Sequence, residues 1–355
     1  MTVGITIAID AMSGDKGAEV VVSAALAFLA RHASQSISQE FEKSLASKAF
    51  NIILVGNQNE LRALLLHHSK SHSIPSDISI VHAETVVGMD DRPSLVLRKK
   101  QDSSMAVALS LVREGKADAC VSAGNTGALM ILGRSILGMY PGIDRPAITK
   151  LFPSQGGGCF VLDLGANVDS SAEHLLQFAI MGQLLAQTIK NIKTAKVALL
   201  NVGGESVKGN EQVRLAASLI EESDCVNYVG FAEGGDIFRS LADVIVCDGF
   251  VGNVALKSAE GAAQILIQTI RDFFNANWYR KLLGHLMLPL LKQNLKQLDP
   301  DTHNGAIFLG LQGVLVKSHG HANSDSFEHA IDLAAKEAVA DLPELINRQL
   351  EDLVF

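Results

Sequence analysis

Five stretches of this chain carry an apolar strand-like run into a short loop of Gly, Asn and Asp, then directly into helix-like sequence. They are ITIAIDAMSGDKG (5–17), DACVSAGNTGALM (118–130), CFVLDLGANVD (159–169), VALLNVGGESVKGNEQ (197–212) and DVIVCDGFVGNVALK (243–257). Helix-start N–H groups, Asn amides and Lys ammonium groups in such loops suit an oxygen-rich, negatively charged ligand. In the fourth loop Gly203 and Gly204 permit close backbone approach and Lys208 supplies a compact charge. A helix starting near Asn210 aims its amides the same way, although the spacing is not that of a P-loop and a tight turn with a solvated lysine fits too. Asn125 and Thr126 offer an amide and a hydroxyl at a helix start, for an anion or for capping. Asp248 is a base or a loop-ordering group, with Asn253 and Lys257 beyond it. Asn167 sits in LDLGANVD between Asp163 and Asp169, where an Asx turn is the alternative. Asp10 ends the first strand, where a carboxylate orients a nucleophile or holds a lysine. Lys100 closes a run of three cations before the helix-start serines Ser103 and Ser104. KSHGH puts Lys317 beside His319 and His321, with no HExxH, cysteine or carboxylate triad to suggest a metal.

The candidate catalytic residues are therefore Asn125, Lys208, Asp248 and Lys100, and the candidate substrate-binding residues are Asp10, Thr126, Asn167, Asn210, Asn253 and Lys317. No metal and no cofactor is expected. Strands of a parallel sheet point one way, so the five loops are expected along one edge, around one site.

The elements that must position these residues alternate almost throughout. Strands at 5–10, 51–56 and 78–83 are each followed by helical patterns, and SSMAVALSLVREG reads as a helix capped by Ser103 or Ser104 and closed by Gly115. This predicts an α/β fold: a Rossmann-like, doubly wound, mostly parallel sheet with helices on both faces. From Asn253 to about Leu298 the rhythm breaks into two helices without a strand between them, interrupted near 275–277 and kinked at Pro289. The expected organisation is one α/β domain over 1–355 with a helical hairpin inserted at 253–298.

The 355 residues are 48% hydrophobic and 19% charged, enough for a large core. A net charge of −8 argues against a general nucleic-acid surface. The four cysteines form no CxxC pair and read as reduced core residues. No signal peptide and no apolar run of membrane-spanning length is evident, so a cytoplasmic location is expected. A nicotinamide-dependent dehydrogenase would need a strand-linked GxGxxG followed by a spaced acid, and none is found. A non-catalytic scaffold would not need such densely polar loops.

The runs RKKQDSSM, VSAGNTGALM, LDLGANVD, VKGNEQ, VCDGFVGNV and GLQGVLVKSHG resemble the bacterial phosphate acyltransferase family, the acyl-[acyl-carrier-protein]:phosphate acyltransferases (PlsX), in family order from Ile5 to the last helix. Two places differ. Ser13 stands where the family usually has a second glycine, and Asn304 and Ile307 stand where a glycine and a proline are more frequent. The resemblance implies attack of inorganic phosphate on a fatty acyl thioester of acyl carrier protein, giving an acyl phosphate for phospholipid synthesis. It implies a fold related to phosphotransacetylases and isocitrate-dehydrogenase-like enzymes, a homodimer, and delivery of product to a membrane-bound glycerol-phosphate acyltransferase. Acyl carrier protein is acidic, so docking needs a local basic surface, and Arg271, Arg280, Lys281, Lys292 and Lys296 are the candidates.

In the second helix of the hairpin, Leu282, Leu283, Leu286, Met287, Leu290 and Leu291 fall on one broad apolar face. Trp278 and Tyr279 at its start suit a membrane interface. A dimer contact and a peripheral membrane contact both fit this pattern.

Overall fold

The computed structural model describes residues 4–34, 48–69, 73–295 and 304–353. Its elements run β1 (Ile5–Asp10), α1 (Ala18–Ser34), β2 (Phe50–Gly56), α2 (Gln58–His68), β3 (Ile78–His82), α3 (Pro93–Lys99), α4 (Ser104–Arg113), β4 (Ala119–Ser122), α5 (Thr126–Ile136), β5 (Ala147–Phe152) and β6 (Cys159–Leu162). They continue through α6 (Ala172–Lys190), β7 (Val197–Leu200), α7 (Glu211–Ser223), β8 (Tyr228–Ala232), β9 (Val244–Val246), α8 (Gly249–Asn275), α9 (Trp278–Leu295), β10 (Ala306–Leu309), β11 (Val314–Lys317), α10 (Ser324–Ala340) and α11 (Leu342–Leu353).

The polar loop residues explain where the helices begin. Asn125, Asn210 and Asp248 each turn a side-chain oxygen back onto the N–H three residues on, at 3.0, 2.9 and 2.9 Å. Ser103 does the same for α4 at 3.3 Å. Each cap satisfies a donor that the first helical turn leaves unpaired.

One sheet of eleven strands runs through the molecule in the order β3-β2-β1-β4-β11-β10-β5-β6-β9-β7-β8. Side chains alternate between its faces. Ile7, Ile9 and Phe160 pack with α1, α6 and α10 on one side. Ala8, Ile148, Val161 and Leu315 pack with α4, α5 and the start of α8 on the other.

The expectation of five loops on one edge is corrected by the strand directions. β1, β2, β3, β4 and β11 run parallel to one another. β10 is antiparallel to both β11 and β5, and β5 is antiparallel to β6. β6, β9, β7 and β8 are again mutually parallel, now in the opposite sense. The loops after β1 and β4 therefore leave one edge, and those after β6, β7 and β9 leave the other. What joins the two sets is α8. It starts beside the β6 loop, where Gly249 N–H donates to Asn167 O at 2.9 Å, and reaches across the sheet face until Glu260 meets His319, just beyond β11, at 3.2 Å. This close crossing requires Gly252, because a Cβ there would collide with the Asp163 carbonyl.

The helical pair forms as its sequence predicts, with α8 ending at Asn275 and α9 beginning at Trp278. Among the described residues no helix is long and apolar enough to cross a membrane. Cys120, Cys159 and Cys247 are buried free thiols, and Cys225 is a half-buried one.

Candidate functional site

A cavity of about 360 Å³ lies against the centre of the sheet, where the two halves meet. A row of paired residues crosses its floor: Lys317 on β11 pairs with Ala306 on β10, and Lys150 on β5 pairs with Val161 on β6. α8 forms the roof with Asn253, Leu256 and Lys257. Thr126 closes one end and the Gly165 turn closes the other. Two helix N-termini, those of α5 and α8, border this space, and such ends favour anions.

The charges of the cavity are its most unusual property. Lys150, Lys257, Lys317 and His319 all line it. Three of them share one carboxylate: Glu260 lies 2.9 Å from Lys257 Nζ, 3.2 Å from His319 Nε2 and 3.6 Å from Lys150 Nζ. Burial alone would raise the Glu260 pKa. The hydrogen bonds from His319 and Lys257 and the charge of Lys150 outweigh it and bring the value to about 2. Burial lowers Lys317 to about 8, with Lys257 pushing in the same direction and Asp15 opposing. The Lys150 side chain is only 8% exposed. Concentrated positive charge in a poorly solvated space is costly unless an anion joins it. Glu260 supplies one negative charge to this cluster.

The loops around the cavity are held by buried carboxylates. Asp163 accepts from the N–H groups of Ile148, Gly165, Ala166 and Asn167 at 2.9, 3.2, 3.0 and 2.7 Å and from the Asn167 amide at 2.9 Å. Burial raises its pKa, while the donors of Ala166, Ile148 and Asn167 pull it down. Asp10 is fully buried and takes a 2.7 Å hydrogen bond from Ser122, and burial raises its pKa as well. Ser13, at the position where the resembled family usually has glycine, contacts the Ser122 hydroxyl at 3.2 Å and accepts from Ala123 N–H at 3.1 Å. It ties the β1 loop to the β4 loop. Asn304, the other departure, is buried: its amide donates to Ser318 Oγ and Ser326 O at 2.7 and 2.8 Å, and its oxygen accepts from His319 N–H at 2.9 Å. It thereby sets the turn that presents His319.

The sequence-derived candidates separate into groups. Thr126, Asn253 and Lys317 line the cavity. Asn167 and Asp248 lie in the turns at its β6 and β9 end, where Asn167 also donates to Pro146 O at 2.8 Å. Asp10 lies beneath the β4 loop. Asn125 and Lys100 hold the 86–91 segment: the Asn125 amide donates to Met89 O and Asp91 O at 2.5 and 3.2 Å, and Lys100 Nζ donates to Val86 O and Asp91 at 2.7 and 2.6 Å. Lys208 pairs with Glu205 at 2.7 Å on an exposed turn after β7, and that pairing raises its pKa. Neither Lys208 nor Asn210 is among the cavity's lining residues, because β9 stands between β7 and β6 in the sheet. Sequence reasoning missed Lys150 and Glu260 and made no site residue of Lys257 or His319. The available signals were a lone lysine inside an apolar strand, AITKLF, and the KSHGH turn.

On the hairpin, Trp278, Leu282, Leu283 and Met287 are exposed, and Arg280 stacks on Phe273 with its guanidinium carbon 4.6 Å from the ring centre. Leu286, Leu290, Leu291 and Lys292 lie outside the residues whose side chains are described, and Lys296 outside the described residues altogether.

The architecture places the chain among α/β proteins of the phosphotransacetylase fold. A phosphotransacetylase from Streptococcus pyogenes superposes with a TM-score of 0.58 at 16% identity, covering 95% of this chain and 94% of that one. A family model described as a fatty acid synthesis protein matches residues 5–344. A phosphate acyltransferase of Marinobacter nauticus is 52% identical over 351 residues, 99% of this chain and 97% of the relative. One from Pseudomonas fluorescens is 49% identical over 348 residues, 98% of each. The chain belongs to the phosphate acyltransferase family of fatty-acid and phospholipid synthesis.

Proposed function

We propose that this protein transfers a fatty acyl group from acyl carrier protein to inorganic phosphate, and that the reaction takes place in the central cavity. A phosphate oxygen attacks the thioester carbonyl carbon, the carbon–sulfur bond breaks, and the carrier thiolate leaves and takes up a proton. The products are acyl phosphate and free carrier thiol. The observation that carries this reading is the set of basic side chains lining the cavity, with Lys150, Lys257 and His319 around Glu260 and Lys317 on the same lining. It provides the charge a phosphate dianion needs, and Thr126 and Asn253 add polar contacts. Holding phosphate and thioester together supplies up to about 7 kcal/mol of the barrier reduction. A well-placed donor to the developing oxyanion adds roughly 3 kcal/mol. Thiolate is a good leaving group, so the reaction as proposed uses no cofactor.

The further parts of the proposal concern organisation and partners. Residues 1–355 act as one acyltransferase domain, and 253–298 serve as an inserted hairpin that contacts a second copy of the chain or a membrane surface. The exposed Trp278, Leu282 and Leu283 support that role. The protein works as a homodimer, makes a peripheral contact with the membrane, and passes its product to a membrane-bound glycerol-phosphate acyltransferase. Arg271, Arg280 and Lys281 supply local positive charge for the acidic carrier.

Mixing the protein with long-chain acyl carrier protein, with and without phosphate, tests the reaction. Free thiol should appear only with phosphate, and hydroxylamine should trap the acyl product. Equal thiol release without phosphate would make the protein a thioesterase instead.

A further inference from the structure

A second cavity, of about 170 Å³, lies on the opposite face of the sheet from the cationic one. Its walls are Leu151, Phe160, Ile307, Ile189 on α6 and Leu333 on α10. Lys150, Asn304 and Gly305 line both cavities, so the two approach one another at the notch in the sheet where β10 begins. Gly305 keeps that notch open. Its φ is +126°, and a Cβ there would sit 2.8 Å from Leu333 Cδ2, inside the passage. The charged residues at the far rim are engaged with one another: Asp332 is paired with Lys336 at 2.8 Å and with Arg31 at 3.1 Å. The interior walls between this rim and Lys150 are apolar apart from His329, whose Nδ1 is buried.

We propose that the second cavity is the subsite for the carbons of the acyl chain nearest the carbonyl, with the thioester lying at Gly305, between Lys150 and Asn304. This inference rests on the acyl-transfer reading and assigns the specificity of the same site. A phosphate held by the lysines lies on one side of the notch and the chain leaves through the other. The carbonyl carbon is then presented to phosphate while the alkyl chain is taken out of the cationic space. An apolar cavity of about 150 Å³ accommodates benzene, so a space of about 170 Å³ takes on the order of six carbons. Each methylene transferred from water into such walls tightens binding roughly fourfold. The walls therefore predict a steep rise in kcat/KM from acetyl to octanoyl thioesters and a much shallower rise from octanoyl to hexadecanoyl.

The test is a comparison of butanoyl-, octanoyl- and hexadecanoyl-carrier protein with the full-length protein and two variants that narrow the cavity from different helices, Leu333→Trp and Ile189→Trp. Each variant is first checked for an unchanged far-ultraviolet spectrum and a cooperative melt. The octanoyl-to-butanoyl ratio of kcat/KM should fall about tenfold or more in a folded variant, which is the loss of about two methylenes of binding. An unaltered ratio in both variants, with all chain lengths slowed alike, overturns the proposal. Octanoate binding by calorimetry gives a readout independent of turnover. Binding by the unaltered protein that is lost in either folded variant supports the subsite even if no acyl phosphate is made, in which case the reaction reading alone has failed. Phosphate-dependent turnover with unmoved chain selectivity leaves the reaction standing and removes the subsite.

Discussion

Burial brings the charge change of Lys317 close to physiological pH. Burial brings its pKa down to about 8, and the positive charge of Lys257 acts in the same sense. With that value about 90% of the free enzyme carries the charge at pH 7 and about 10% at pH 9. Inorganic phosphate has by then completed its second ionisation, so the substrate adds no step of its own above pH 8. The pH profile of kcat/KM for phosphate reports groups of the free enzyme. Expressed per phosphate dianion, it should therefore fall about tenfold between pH 7 and pH 9, bending near pH 8. Lys317→Arg keeps its charge throughout this range and should remove the bend. Lys317→Met should lower kcat/KM for phosphate at pH 7 by more than tenfold and also remove it. Steady-state thiol release across pH 6.5 to 9.5, at subsaturating phosphate, makes the measurement. A bend near pH 8 that persists unchanged in Lys317→Arg would refute the assignment of this lysine to the anion.

Three other outcomes follow from the same geometry. The depressed folded-state pKa of Glu260, about 2 against an ordinary 4.5, contributes roughly 3 kcal/mol of stability that is full above pH 4.5 and is lost as pH falls towards 2; urea unfolding should show Glu260→Gln less stable by about 2–3 kcal/mol at pH 7, with the gap closing in acid, and an equal gap at pH 3 would contradict the pairing. Asn125→Ala removes a helix cap and both ties to the 86–91 segment, so the protein should lose about 1–2 kcal/mol and that segment should be cut faster by protease; a drop in kcat with stability and cleavage unchanged would instead give the amide a direct part in the reaction. Trp278→Glu with Leu282→Glu places charge on exposed hairpin positions and should weaken binding to anionic vesicles in flotation assays while the protein still folds; loss of the dimer with no change in flotation would assign the hairpin to subunit contact.

The strand–loop–helix rhythm was readable because alternating burial and cap residues are local properties. ITIAID and SSMAVALSLVREG need only their own periodicity to be placed. Strand direction was not readable in the same way. Whether β6 runs with β4 or against it depends on β10 and β5, short strands that pair antiparallel at the centre of the sheet. That reversal moved Lys208 and Asn210 away from Lys317. The loop chemistry carried a second ambiguity. Asn125, Asn210 and Asp248 have the residue types and positions of both anion contacts and helix caps, and in the structure each caps a helix. Lys150 and Glu260 were hidden for a different reason. One stands alone in a buried strand and the other a single turn beyond Lys257 on a long helix, and only the crossing of α8 over β5 brings them together. The two departures from the resembled family were visible in the sequence. Their work was not, since Ser13 and Asn304 act on residues more than 100 and 14 positions away.

The most direct test of the whole account is a crystal structure with inorganic phosphate bound. The account predicts the anion in the central cavity, within hydrogen-bonding distance of at least two of Lys150, Lys257 and Lys317, beside the N-termini of α5 and α8. Phosphate bound instead at the 203–209 turn with Lys208, with the central cavity empty, would contradict it.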